Sequence, residues 1–79
     1  MEEEYTYHYY DTKTLLVVNA KGVIRTLHTP FRVQCIQAID TIPLHASLYV
    51  EEVHAGERGK IYFTVFGRTY QHHCFQLLI

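Results

Sequence analysis

His72-His73-Cys74 is the densest run of reactive side chains in a chain that carries six histidines and two cysteines. Imidazole and thiolate are the ligands zinc prefers, so this run is the first place to look for a metal. Its spacing argues otherwise. Structural zinc sites draw their ligands in C-x2-C or H-x3-H pairs, whereas adjacent residues on a strand point to opposite faces. His8, His28, His45 and His54 are scattered through strands and loops and read as ordinary hydrogen-bonding histidines. A Cys–His nucleophile pair is the second possibility. Cys35 holds an apolar-face position in a strand and reads as buried and inert, while Cys74 beside His73 reads as the more accessible thiol. No Gly-x-Ser-x-Gly elbow is present. Glu51-Glu52 would do acid–base work only if held about 5–9 Å apart across a cleft, and neighbours on a strand point apart. Gly56-Glu57-Arg58-Gly59 lacks the Gly-x-x-x-x-Gly-Lys spacing of a phosphate loop and precedes a strand, so it reads as a turn. These residues predict no catalytic centre, no metal site and no cofactor.

Recognition is the remaining chemistry, and tyrosine carries it. Tyr5, Tyr7, Tyr9 and Tyr10 crowd the start of the chain. Tyrosine joins a large apolar area to a polar tip and is favoured at interfaces. A strand built of them is either a recognition edge, a sheet-extension or self-association face, or the cover of an open core. A second set is basic and aromatic: Tyr62, Tyr70, Arg58, Lys60 and Arg68, which one hairpin and its end would gather. Such patches stack single-stranded nucleic acid. Against that reading, seven Lys and Arg face eight Asp and Glu, a net charge of −1. A field that weak does not draw phosphate or a membrane surface.

The elements that position these residues are strands. No window has a sustained 3.6 period, and short alternating runs recur instead. Tyr5 to Tyr10 is the first, with Tyr5, Tyr7 and Tyr9 on one face and Thr6, His8 and Tyr10 on the other; Asp11-Thr12 turns the chain. Thr14 to Val18 and Val23 to His28 form a hairpin across the Asn19-Ala20-Lys21-Gly22 turn. Thr29-Pro30 marks a corner, because proline cannot donate to a ladder. Phe31 to Ala38 follows, with Phe31, Val33 and Cys35 on one face; Ile36 breaks the alternation, so a bulge or a twist is expected near Cys35. Ile39 to Ser47 is an irregular loop. Leu48 to Val53 is a strand, and Ile61 to Phe66, apolar on both faces, belongs at the centre of a rolled sheet. Gly67-Arg68 turns into Thr69-Tyr70-Gln71. His72-His73-Cys74 is a short helical turn and Gln76 to Ile79 the last strand. Seven or so short strands with tight turns predict an all-β barrel or rolled sheet.

From Phe31 onward the sequence resembles small SH3-like barrels found as short proteins of bacteria and their phages. The residues that carry the resemblance are Val33-x-Cys35-Ile36, a long loop, Tyr49-Val50-x-x-Val53, a glycine turn, Ile61-Tyr62-x-x-Val65, and Gly67-x-x-Tyr70 leading to Phe75-x-Leu77-Leu78. The resemblance implies a barrel of about five strands over 31–79, with Phe75 plugging one end. Residues 1–30, a tyrosine strand and a hairpin, are then an extension that packs on the barrel or prolongs its sheet. It implies no activity.

Length and composition fit one domain. The 79 residues are 48% hydrophobic, 14% aromatic and 19% charged, a globular balance. A chain this short buries about 60–65% of its unfolded surface and has little room for a deep cleft. No apolar run approaches the roughly 20 residues of a membrane helix. The Met1-Glu2-Glu3-Glu4 start is the reverse of a secretory signal and reads as a solvated, frayed end, so a cytoplasmic protein with two free thiols is expected. The sequence therefore predicts a non-catalytic module binding another protein or its own copy, as a homodimer, through Tyr5, Tyr7, Tyr9 and Tyr10. The alternative is a small nucleic-acid-binding barrel using Arg58, Lys60, Arg68 and the nearby Tyr62 and Tyr70.

Overall fold

Alternation of apolar and polar residues produces nine short strands in the computed structural model, which describes residues 5–79. The expectation about Glu2-Glu3-Glu4 lies outside the described residues. The strands are β1 Tyr5–Asp11, β2 Thr14–Asn19, β3 Ile24–His28, β4 Phe31–Cys35, β5 Ser47–Val50, β6 Glu52–Ala55, β7 Ile61–Val65, β8 Arg68–Gln71 and β9 Phe75–Leu77. Single 3-10 turns lie at Glu57–Gly59 and His72–Cys74. The second of these is the helical turn expected from the sequence. The chain is all-β, and among the described residues no helix is long and apolar enough to cross a membrane.

The ladders form three antiparallel sheets of three strands, ordered β1-β2-β3, β5-β4-β9 and β6-β7-β8. Of the two forms expected, barrel or rolled sheet, the sheets do not make a closed barrel. Residues 31–79 make six strands, because the single strand expected over Leu48 to Val53 divides at Glu51. β5 pairs with β4 and β6 pairs with β7, so the chain changes sheet there. The Glu51 N–H donates to the Thr64 carbonyl at 2.8 Å and joins the two sheets at the crossing. With strands only three to five residues long, no ladder runs on to close the ring. Side chains fill the space between the sheets instead.

One hydrophobic core serves all three sheets. Val33, Cys35, Val50, Val53 and Phe63 are fully buried, and Phe31, Ile61, Val65, Phe75 and Leu77 nearly so. β7 is the central strand of its sheet and turns Ile61, Phe63 and Val65 inward. Its other face is not apolar core, contrary to the expected two-faced strand. Tyr62 and Thr64 are half-buried there, and Phe66 is 73% exposed. Phe66 (φ 52) and Gly67 (φ 74) are the two central residues of the β7–β8 turn. Positive φ at both is the type I′ pattern, whose twist matches the flanking strands. Phe75 packs its ring 6.3 Å from Phe63, inside the core.

β2 belongs to the same core. Leu15 and Val17 are fully buried, although they lie in the segment expected as an extension. The hairpin turn after β2 follows its sequence. Asn19 Oδ1 accepts from the Lys21 and Val23 N–H groups at 2.9 and 3.0 Å, and Gly22 takes φ 81. No bulge forms at Ile36: β4 ends at Cys35, and Ile36 is 46% exposed. The connection from Ile36 to Ala46 is irregular, with one bridge between Ile39 and Ile42.

Candidate interaction surface

Strand alternation sorts the tyrosines of β1. Tyr5, Tyr7 and Tyr9 pair with Asn19, Val17 and Leu15, and so lie on the side of β2 that is fully buried at Val17 and Leu15. Tyr5 and Tyr7 are half-buried and pack against the core. Tyr9 is 41% exposed. The register slips between Tyr9 and Asp11, and Tyr10 emerges on the opposite, outer face with 66% exposure. The row of tyrosines therefore divides: Tyr5 and Tyr7 complete the core, and Tyr9 and Tyr10 are presented to solvent.

Tyr7 is fixed by rings. Its centroid lies 4.6 Å from the His72 imidazole at 65° and 6.4 Å from Phe63. Burial, and secondarily Tyr5, hold the Tyr7 phenol above its ordinary pKa. His72 Nδ1–H donates to the Ile61 carbonyl at 3.2 Å, which leaves Nε2 as the acceptor of the neutral ring. Burial depresses the His72 pKa, the bond to Ile61 works against that, and His73 lowers it further. Tyr5, Tyr7, His72 and Phe75 line a cleft of about 240 Å³ between β1 and the last strand. It is small and open, and its polar groups come from the two phenols, His72, His73 and Gln76.

On the outer face, the β2 residues Leu16 and Val18 are half-buried between β1 and β3. Leu16 stands opposite His8 and Thr26, and Val18 opposite Thr6 and Ile24. Tyr10, Thr14, Leu16, Thr26 and His28 surround a shallow depression of about 270 Å³. Ile24, at 64% exposure, continues the apolar strip to the edge of the sheet.

The basic and aromatic residues of the second set do not gather. Tyr62 pairs with Gln71, and Tyr70 with Phe63, so the two rings lie on opposite faces of the β6-β7-β8 sheet. Tyr70 packs inward with its ring 6.1 Å from Phe75. Arg68 is bound to Asp40 of the long connection, Nη1 to Oδ2 at 2.6 Å, and Tyr70 Oη donates to the same oxygen at 3.2 Å. Arg58, in the Glu57–Gly59 turn, and Lys60 after it are exposed, at the other end of β7 from Arg68. Asp40 was not singled out from the sequence. Its role depends on a contact across 28 residues.

No known protein family, curated protein or solved structure matches the chain.

Among the described residues no three His, Cys, Asp or Glu side chains converge on a point where a metal would sit. His72 and His73 stand at 79° to one another with ring centroids 6.2 Å apart. Cys35 and Cys74 are free thiols, and both are buried. That corrects the expectation of an accessible Cys74: the 3-10 turn directs it inward, where burial, and then Cys35, raise its pKa. A thiol held protonated beneath the surface is a poor nucleophile. Glu52 faces His54 at 3.2 Å and Lys13 at 3.4 Å, while Glu51 accepts from the Gly67 N–H. The two carboxylates thus have separate partners.

Proposed function

We propose that the chain is a non-catalytic interaction module that binds another protein, or a second copy of itself, through the tyrosine-bearing sheet β1-β2-β3. The observation that carries this reading is the exposure of Tyr9 and Tyr10, 41% and 66%, on a strand whose neighbour is anchored in the core by Leu15 and Val17. Exposed aromatic rings on a rigid backing give contact area at small entropic cost. The shallow outer depression beside Tyr10 suits a side chain better than a substrate.

An SH3-like arrangement of residues 31–79 is part of the same proposal. Its support is the order β5-β4-β9 and β6-β7-β8, the passage of one strand run between the two sheets at Glu51, and the 3-10 turn before the last strand. Two free buried thiols accord with a reducing, cytoplasmic setting. The nucleic-acid alternative has less support, because the Arg68 guanidinium is engaged by Asp40 and Tyr62 and Tyr70 face apart.

The test is the double variant Tyr9→Ser/Tyr10→Ser. The expected result is an unchanged far-ultraviolet circular dichroism spectrum together with loss of self-association, or of a protein partner that the wild type retains. Full retention of both by the folded variant would sink the reading.

A further inference from the structure

β3 is an edge strand whose free hydrogen-bonding groups can be assigned residue by residue. The Asn19 N–H donates to the Val23 carbonyl at 3.1 Å, and the Thr29 N–H donates to the Lys13 carbonyl at 2.9 Å. Between these two bonds the β2–β3 register runs without a slip. Alternation then turns Arg25 and Leu27 toward β2. The N–H and C=O groups of Ile24, Thr26 and His28 point away from it, and among the described residues no strand pairs with them.

The strand carries few of the devices that protect an edge. Proteins usually blunt such edges with proline, bulges, lysines or covering loops. β3 has no proline, lysine or bulge, and only Arg25 is permanently charged. Four of its five residues are exposed, and Ile24 is 64% exposed. β1 and β2 make the hairpin's main contacts with β6 and β7, whereas β3 lies chiefly against β2. The edge is therefore open to an incoming strand.

We infer that this incoming strand is β3 of a second copy, antiparallel and centred on Thr26, so that two β1-β2-β3 sheets join into one of six strands. The inference rests on the interaction-module reading and names its partner as the chain itself. The sequence Ile24-Arg25-Thr26-Leu27-His28 is compatible with itself in this register. Thr26 falls opposite the second copy's Thr26, a favourable cross-strand pair. Ile24 falls opposite the second copy's His28, and Arg25 opposite its Leu27. No like charges are directly opposed. Thr26 lies at the centre of the outward-pointing groups, so the N–H and C=O groups of Ile24, Thr26 and His28 meet their counterparts in the order an antiparallel ladder requires. The same register makes the two outer faces continuous, with Ile24 beside the second copy's His28. One strand edge buries less than a standard protein interface, so the dimer forms and dissociates with concentration.

The experiment is molar mass by light scattering over a concentration series. The wild type is expected to rise from 9.3 kDa toward twice that value. Thr26→Pro removes an outward N–H without taking a bond from the β2–β3 ladder. Thr26→Lys sets two ammonium groups opposite each other and leaves the backbone unchanged. Both variants are expected to stay at 9.3 kDa with wild-type circular dichroism. In the wild-type dimer the Ile24 and His28 amides should exchange slowly with solvent, and in Thr26→Lys quickly. A wild type that stays monomeric throughout, or a folded Thr26→Lys that dimerises like the wild type, overturns the inference. The Tyr9→Ser/Tyr10→Ser variant separates it from the broader reading. A dimer intact in that variant but lost in Thr26→Lys supports β3 pairing; the reverse pattern overturns it and leaves the tyrosine surface standing.

Discussion

One carboxylate oxygen of Asp40 takes hydrogen bonds from both Arg68, at 2.6 Å, and Tyr70, at 3.2 Å. The long Ile36–Ala46 connection is thereby fastened to β8 across a gap that no ladder closes. Asp40 sits at φ 51, a conformation asparagine also tolerates, so Asp40→Asn changes the charge and little else. The Tyr70 phenol is held above its ordinary pKa by partial burial first, then by the hydrogen bond and charge of Asp40, against the lowering effect of Arg68. In Asp40→Asn the Tyr70 titration, followed by ultraviolet absorbance, is expected to move to lower pH. Stability should fall by about 1 kcal/mol or less, since the ion pair is solvent-exposed.

Tyr7 and Tyr10 should part company under the same substitution. Tyr7→Ser removes a half-buried ring that touches His72 and Phe63, and is expected to cost about 2 kcal/mol in urea unfolding. Tyr10→Ser removes a ring that is 66% exposed and should change stability by about 0.5 kcal/mol or less. Equal losses for the two would contradict the division of the tyrosine row into core and surface.

His72 gives the fold a pH dependence whose sign follows from its environment. Its folded-state pKa lies below the unfolded value, chiefly through burial. The unfolded chain therefore binds the proton first as pH falls below about 6.5, and stability declines until the folded-state pKa is passed. Above that range the contribution is fully present. His72→Asn retains an N–H donor for the Ile61 carbonyl and cannot titrate. Unfolding midpoints measured between pH 7.5 and 5 (a window set around the unperturbed value of about 6.5) should fall less steeply in the variant than in the wild type.

The β7–β8 turn contains a local conflict. Phe66 adopts φ 52, where a side chain other than Gly, Asn or Asp is disfavoured, and its ring is 73% exposed. Phe66→Asn is expected to raise stability by about 1 kcal/mol, because the left-handed conformation costs less and little burial is lost. A thermal unfolding midpoint that drops would mean the ring makes contacts the exposed turn does not suggest.

The fold was legible where periodicity or turn chemistry is local. Phe31, Val33 and Cys35 alternate inward as their spacing requires, Asn19 and Gly22 make their turn, and His72–Cys74 forms its 3-10 turn. Features that depend on distant residues were not legible. Leu48 to Val53 looks continuous, and the exchange of partners at Glu51 is decided by strands before and after it. Val65-Phe66 reads as one apolar run, yet the turn leaves the second ring in solvent. The site was legible to the same degree. Alternation puts Tyr10 on the face opposite Tyr5, Tyr7 and Tyr9, but it does not reveal that Tyr9, on the core side, is 41% exposed while Tyr5 and Tyr7 pack against the core. The supposed cluster of Tyr62 with Tyr70 failed on pairing register, and Asp40 carried no signal in its own neighbourhood.

The burial of both thiols gives the molecule an internal gauge. Cys35 stands opposite Phe75 in the β4–β9 ladder, and the Cys74 carbonyl accepts from the Ile36 N–H at 3.0 Å. An aqueous thiol reagent reaches either sulfur only when that seam parts. Because the thiols react slowly, the rate of labelling then measures the fraction of time that the C-terminal seam stands open.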